Sequence, residues 1–379
     1  MQEKTASQPA IVMPRVEAST SDFLNLHEIV AKARANLNQN HWDYIVGGTE
    51  TETTLRRNRM ALDAIAFRPR VLRDVRKIDT STTVFGRRLR LPVMLAPVGS
   101  LEGFHPEGAA PVVRGAGAFG AAHMLSSVCD PGVKEVAEAA PDCTRIFQLY
   151  VRGDDAFVDS HVEAAIANNC VAFCFTVDTA HYSRRERDIA KRYTTRGRQR
   201  VAGREFQAAL DWRTVKRVRD KYKIPLILKG IATAEDAKIA VEHGVEWVYI
   251  SNHGGRQLDH GRGTIDVLPE VKDAVGGRAK ILIDGGFYRG SDVVKAIALG
   301  ADLVGMGRMQ CYALAAAGQA GIERLLELME DEVMRCMGLL GACSLAELDK
   351  SYLHCGAPIV TTPHVLSAFP LLKIDDYRY

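Results

Sequence analysis

Cysteine is scarce in this sequence and never falls at metal-binding spacing. Eight occur in 379 residues, and the nearest two, Cys170 and Cys174, do not form a Cys-x-x-Cys pair. A disulfide framework or a structural zinc site is therefore not expected, no metal is assigned, and the thiols read as reduced. Charge of one sign is also missing. The 49 basic residues against 46 acidic ones leave +3, too little to argue for a nucleic-acid partner. No run reaches the roughly 18 apolar residues that a membrane-spanning helix needs. The first twenty residues include Glu3, Lys4, Gln8, Pro9 and Pro14 and lack the apolar centre of a signal peptide. These absences predict a cytoplasmic protein with neither a membrane nor a nucleic acid as partner.

The chain does have the means to build a core: 47% of it is apolar and 25% charged. The length alone suggests more than one domain, although α/β barrels of this size often form a single one. Residues 1–20 read as a loose polar tail. Leu24, Leu26, Ile29 and Val30 then repeat at helical spacing behind Ser21 and Asp22, with Asp22 as the expected N-cap. A second helix is expected around His41–Val46, closed by Gly47 and Gly48, and a third around Thr53–Ala64.

From residue 91 a rhythm sets in. Short apolar runs recur at Val93–Ala96, Met124–Ser126, Ile146–Tyr150, Ala172–Val177, Leu226–Leu228, Trp247–Ile250, Ile281–Ile283 and Leu303–Met306. Alanine-rich helical stretches separate them, among them Glu107–Ala118, Asp155–Ala167, Ala234–His243 and Ser291–Leu299. Short strands that are apolar on both faces suit a parallel sheet covered by helices. Eight such units predict a closed (β/α)8 barrel, of TIM-barrel type, behind an N-terminal helical extension. The spacing is mostly about 22–33 residues, one β/α unit, but the fourth strand precedes the fifth by about 50. Residues 183–210 are thus a candidate lid in the fourth βα-loop, on the side where barrels build active sites. The barrel unit is expected over 21–355, followed by a C-terminal arm, 356–379.

The C-terminal ends of barrel strands converge on one mouth. Here they carry Pro97-Val98-Gly99, Ser126-Ser127, Gln148-Leu149-Tyr150, Thr176-Val177-Asp178, Lys229-Gly230, Ser251-Asn252-His253, Asp284-Gly285-Gly286 and Gly305-Met306-Gly307-Arg308. So many polar groups in one rim are costly unless a ligand or network pairs them. Gly285, Gly286 and Gly307 allow backbone amides to approach a phosphate, with Arg308 adding a charge-assisted bond; simple turn glycines are the plainer alternative. His253 lies in a run too polar for a core, with Asp178 on another strand end, which is the equipment of an oriented general base. Arg185 and Arg256 offer fork-shaped donors suited to a carboxylate, whereas Arg184 and Arg187 read as surface ion pairs. Lys229 closes an apolar strand and needs an anionic partner.

With these residues in place, Ser251–Gln257 resembles the signature of the FMN-dependent 2-hydroxy acid oxidases and dehydrogenases, such as glycolate oxidase, lactate oxidase and mandelate dehydrogenase. The resemblance spans about residues 23–355 and includes Phe67-Arg68-Pro69-Arg70, His105-Pro106-Glu107-Gly108, Gln148-Leu149-Tyr150, Leu228-Lys229-Gly230 and Asp284-Gly285-Gly286 in order. It implies FMN as cofactor and oxidation of an (S)-2-hydroxy acid to the 2-oxo acid. His253 would take the hydroxyl proton while hydride passes to flavin N5, and Asp178 would orient the base. Arg185, Arg256 and Tyr44 would hold the substrate carboxylate, and Tyr150 would face the reacting oxygen. Lys229 would sit beside flavin N1 and O2, and Pro97, Val98 and Gly99 against N5. Ser126, Gln148, Thr176 and Ser251 match further flavin contacts, and Gly307 with Arg308 the phosphate site. A homotetramer, with oxygen or an electron carrier as acceptor, completes what the resemblance implies.

The sequence departs from the family at several points. Tyr288 stands where an arginine usually meets the FMN phosphate, so its phenol or Arg289 would have to substitute. Ala180, Tyr182 and Ser183 replace a Pro and a Leu-Gly, and Val128 replaces a bulky aromatic of glycolate oxidase. Together these predict a substrate larger than glycolate, mandelate-like. Gly99 replaces an alanine common among the oxidases, which does not separate oxidase from dehydrogenase. From Arg184 to Glu205 nine basic side chains meet three acidic ones. A solvated charged face is the favoured reading of that loop, and steering of anionic substrates the other. Three alternatives compete: a type 2 isopentenyl diphosphate isomerase, a weakly catalytic flavin-binding protein, and a lyase using Lys229 as a Schiff-base nucleophile.

Overall fold

The computed structural model describes residues 23–195, 202–357, 367–369 and 372. Eight strands close a parallel barrel: β1 (Val93–Leu95), β2 (Ala122–Ser126), β3 (Thr144–Leu149), β4 (Ala172–Thr176), β5 (Leu226–Ile231), β6 (Trp247–Ile250), β7 (Lys280–Ile283) and β8 (Leu303–Met306). Each pairs with the next, and β8 returns to β1 with Val304 opposite Val93. The expected apolar runs are these strands, with ends shifted by at most a few residues.

Strand alternation explains why the runs are apolar throughout. In β4, Ala172 and Cys174 point into the barrel, where they pack with Ile146, Ile227 and Tyr249. Phe173 and Phe175 point outward into the helical layer. Both sets are fully buried, the burial pattern of a sheet covered on both faces.

The first helix, Leu26–Asn36, is capped by Asn25, whose side chain accepts from the Glu28 amide. The expected cap, Asp22, lies outside the described residues, and Leu24 is exposed. Helices Gln39–Val46 and Thr53–Asp63 follow as expected. The last helix, Arg308–Leu340, breaks its helical geometry at Ala317 and Gly318 and packs on both Leu26–Asn36 and Ala110–Phe119.

Two small sheets were not foreseen. Thr82–Val84 and Arg87–Leu89 form a hairpin that turns through Phe85 and Gly86, both at positive φ. Its Val84 and Leu89 close the end of the barrel away from the mouth, and Phe85 stacks on Trp247 at 4.4 Å. Ile65–Phe67 pairs antiparallel with Leu353–Cys355, joining the two ends of the barrel unit.

The described part of the insertion after β4 includes two short helices, Glu186–Ala190 and Arg204–Ala208. Its described parts are docked on the barrel, contrary to the reading of a solvated face. Buried Gln207 accepts from the Val151 amide and donates to the Thr176 carbonyl, at 2.7 and 2.8 Å. Arg187 is likewise a buried residue, bridged to Glu52, and not the surface ion pair its charged surroundings suggested. Lys191 pairs with Asp43. Arg184 is exposed beside Glu186.

Candidate active site

The chain leaves β6 through three consecutive residues at positive φ, His253, Gly254 and Gly255. Glycine is needed at 255, where a Cβ would fall 2.5 Å from the backbone of Leu55. A non-glycine residue in this conformation is uncommon. The turn lifts the His253 imidazole over the mouth and ties its amide to Ser251 Oγ at 3.1 Å. Nδ1 lies 3.2 Å from both oxygens of Asp178, at the end of β4. A carboxylate accepts, so Nδ1 carries the hydrogen and Nε2 presents its lone pair. The Tyr150 hydroxyl, just past β3, is 3.2 Å from Nε2.

The surroundings keep this base neutral. Burial, and then the ammonium of Lys229, push His253 below its ordinary value, and Asp178 only partly offsets them. Burial disfavours the Asp178 carboxylate, but His253 and Lys229 outweigh it and hold it below the usual range. Burial raises the Tyr150 phenol, with Asp178 adding to the effect, so it stays protonated and can donate.

Beside the imidazole stand two guanidinium groups. Arg256 Nη1 donates to the carbonyls of Tyr44 and Gly47, at 2.6 and 2.8 Å, and the group lies 4.6 Å over the Tyr44 ring. Arg185 approaches the same ring at 5.9 Å. Arg256 Nη2 and Arg185 Nε are buried without a hydrogen-bond partner among the described residues. Burial and the neighbouring Arg185 both penalise the charge on Arg256. Arginine does not give up its proton, so an anion is what relieves the pair.

Next to these groups lies a cavity of about 560 Å³. On its wall are Pro97, Val98, Gly99, Val128, Tyr150, Tyr182, Arg185, Lys229, His253, Arg256, Asp284, Gly285, Gly286, Tyr288, Gly307 and Arg308, with Tyr44. Ser126, Gln148, Thr176, Asp178 and Ser251 are not on the wall but in the strand ends and turns around it. Lys229 Nζ bonds Ser251 Oγ at 3.0 Å and approaches Asp284 at 3.8 Å, while Ser251 and Tyr249 both donate to Asp284. This network already holds the Lys229 ammonium, which tells against a Schiff-base role. A Cβ on Gly99 would come within 2.7 Å of Val128 Cγ2, so these two positions share one space.

The site fits FMN. Both amide atoms of Gln148 and the hydroxyl of Thr176, in the strand ends around the cavity, are buried without partners among the described residues, the kind of groups that a flat heterocycle with donors and acceptors on its edge would satisfy. At the other end, helix Arg308–Leu340 starts behind Gly307 with no side-chain cap. A Cβ at Gly307 would meet nothing nearer than Val98 at 3.9 Å, so there is room for an anion beside this helix start.

One expectation about that end is revised. Arg308 lines the cavity, but its donors rest on the carbonyls of Ile45, Gly47 and Gly254 at 2.7–2.9 Å. Arg289 is turned away: it bridges Glu332, bonds the Ala368 carbonyl and is absent from the wall. A carboxylate and a carbonyl outside the cavity satisfy its guanidinium better than the crowded interior would. Of the two candidate substitutes for the missing arginine, only Tyr288 faces the cavity.

The wall also has residues that the sequence did not single out: Arg152, just past β3, and Thr195, Arg204 and Gln207 of the lid. No motif marks them, and the three lid residues reach the site only after the insertion folds back. Among the described residues no group of three or more His, Cys, Asp or Glu could hold a metal, and no helix is long and apolar enough to cross a membrane.

Comparison with known proteins adds independent findings. A family model described as FMN-dependent dehydrogenase matches residues 33–355. Glycolate oxidase 3 of Arabidopsis thaliana is 39% identical over 370 residues, covering 92% of this chain and 99% of that protein. An L-lactate oxidase of Nostoc is 34% identical over 360 residues, covering 88% and 99%. Among solved structures, a mandelate oxidase with (S)-2-phenylpropionate superposes with a TM-score of 0.82 at 37% identity, covering 89% of this chain and 100% of that one.

Proposed function

The chain belongs to the FMN-dependent 2-hydroxy acid oxidase and dehydrogenase family, and from that premise we propose that it oxidises an (S)-2-hydroxy acid with a bulky, aromatic side chain, with His253 as the base. The carrying observation is the His253–Asp178 pair at one cavity with two buried guanidinium groups, Arg256 and Arg185, each with a nitrogen that has no partner among the described residues. FMN, when bound, takes up the C2 hydrogen with its electron pair. The protein does the rest by holding groups in place. Arg185 and Arg256 grip the substrate carboxylate and Tyr44 packs beneath them. Nε2 of His253 receives the hydroxyl proton, Asp178 stabilises the imidazolium that results, and Tyr150 donates to the reacting oxygen. Lys229 would supply positive charge where a bound cofactor gains electrons. The residues from Pro97 to Gly99, with Ser126, Gln148, Thr176 and Ser251, would hold its ring, and Asp284, Gly285, Gly286, Tyr288, Gly307 and Arg308 its phosphate end.

The substrate side supports a larger acid. Val128 and Gly99 leave one wall short of side-chain bulk. On the lid side Tyr182 is held by Arg152, which donates to its hydroxyl at 2.7 Å, and by Arg204, stacked 4.0 Å over its ring. A rigid aromatic wall of this kind suits an aryl group. Anaerobic reduction rates therefore rank (S)-mandelate above glycolate by about 10-fold or more; comparable rates for the two acids would remove the bulky-substrate reading. The resemblance to the family also supports a homotetramer in the cytoplasm, which light scattering on the purified protein checks for assembly.

The pH profile follows from the neutral base. The proton acceptor is the unprotonated imidazole, whose folded value lies below 6.5. Activity is then lost as pH falls through that lowered value and is flat above it. A plot of log(kcat/KM) against pH places its acid limb below 6.5. Asp178→Asn removes a contribution that raises the value, so it moves the limb further to acid while lowering the plateau. A limb above 7 would contradict the assignment.

The shared space at Gly99 gives a stability prediction. Gly99→Ala overpacks Val128 and costs about 1–3 kcal/mol. Val128→Ala in the same chain frees the space, so thermal melting of the double variant recovers most of the loss.

A further inference from the structure

We propose that the C-terminal arm is part of the cofactor site: Phe369, seated edge-on against Tyr288, positions that phenol at the phosphate end of the cavity and thereby sets the affinity for FMN. The inference rests on FMN being the cofactor and concerns only how this chain holds it.

Tyr288 is the residue by which the chain departs from its family at the phosphate end. Tyr288 is 3% exposed and lies on the cavity wall, as does Arg308. Its backbone is fixed from one side, since its amide donates to Asp292 at 3.0 Å and Asp292 is locked in a buried bridge with Arg59. The ring is fixed from the other side by the arm. Phe369 is fully buried and meets Tyr288 at 5.9 Å between centroids, with the planes at 70°. A second edge contact holds Phe369 against His27 at 5.4 Å.

The Ala368 carbonyl, next to this plug, accepts from Arg289 Nη1 at 3.2 Å, and the Leu372 amide closes a turn on the Phe369 carbonyl at 3.0 Å. Arg289 is held in turn by Glu332. The arginine that does not reach the cavity thus clamps the arm that packs on the tyrosine that does. Burial raises the phenol of Tyr288, keeping it protonated and able to donate to a phosphate oxygen.

Riboflavin separates this role from a merely structural one, because it carries the same ring without the phosphate. Wild-type apoprotein and the full-length Phe369→Ala, Phe369→Leu and Tyr288→Phe variants are titrated with FMN and with riboflavin, following quenching of flavin fluorescence. Phe369→Ala is expected to weaken FMN by about three- to tenfold, the scale of one aromatic pair, with riboflavin unchanged. Phe369→Leu, which refills the pocket, recovers part of the loss. In the Tyr288→Phe background Phe369→Ala has no further phosphate-specific effect. Parallel weakening of FMN and riboflavin, or no change in either, would overturn the proposal. A wild-type protein that binds both flavins equally would instead overturn the phosphate end itself.

Discussion

His253→Ala leaves the oxidised flavin spectrum in place and slows flavin reduction by a 2-hydroxy acid by about 10²–10⁴-fold, the usual worth of a positioned general base. The two halves of this result have different causes. Retention of the flavin follows because the imidazole's own partners are Asp178 and Tyr150, while the bond to Ser251 Oγ is made by the backbone amide, which the variant keeps. The loss of rate follows because no other neutral acceptor faces the same point. Tyr150 is held protonated by burial and by Asp178, and Lys229 is engaged by Ser251 and Asp284. Stopped-flow absorbance under anaerobic conditions reads the rate directly. Reduction at the wild-type rate would remove His253 from the chemistry.

Arg256→Lys carries the second large effect, a fall in kcat/KM of about 10²-fold, or about 3 kcal/mol, dominated by KM. The existing bonds decide it. One nitrogen of Arg256 is occupied by the carbonyls of Tyr44 and Gly47, and another, Nη2, is buried without a partner among the described residues. A planar fork serves both tasks at once. A lysine ammonium on its flexible stem serves one, and loses the planar stacking on Tyr44 as well. The same substitution leaves FMN content unchanged, which absorbance of the purified variant checks. A variant with wild-type KM would contradict the assignment of Arg256 to the substrate carboxylate.

How much of this was legible in the sequence depends on where the determining contacts lie. The barrel was readable because each strand is buried on both faces, so each appears as an uninterrupted apolar run, and because the polar residues fall together just past the ends. The hairpin at 82–89 was not, since three-residue strands with arginines on the exposed side have no such signature. Arg187 and Gln207 were missed for a related reason. A charged or amide side chain gives no sign in sequence of the distant partner, here Glu52 or the Val151 and Thr176 backbones, that draws it inside. Arg289 shows the opposite case. Its position beside Tyr288 suggested the cavity, but Glu332, 43 residues on, offers a full counter-charge outside it. The N-cap of the first helix shifted from Asp22 to Asn25 because either side chain can satisfy the first turn, and only the packing of Leu26 and Ile29 fixes where that turn begins.

The most direct test of the account is the visible spectrum of the purified holoenzyme under anaerobic conditions, before and after adding (S)-mandelate and then (S)-lactate. The account predicts that the oxidised flavin band bleaches, faster with mandelate and not with the (R) enantiomer, and that admitting air afterwards shows whether oxygen restores it. A bound flavin that stays oxidised with every 2-hydroxy acid offered would contradict it.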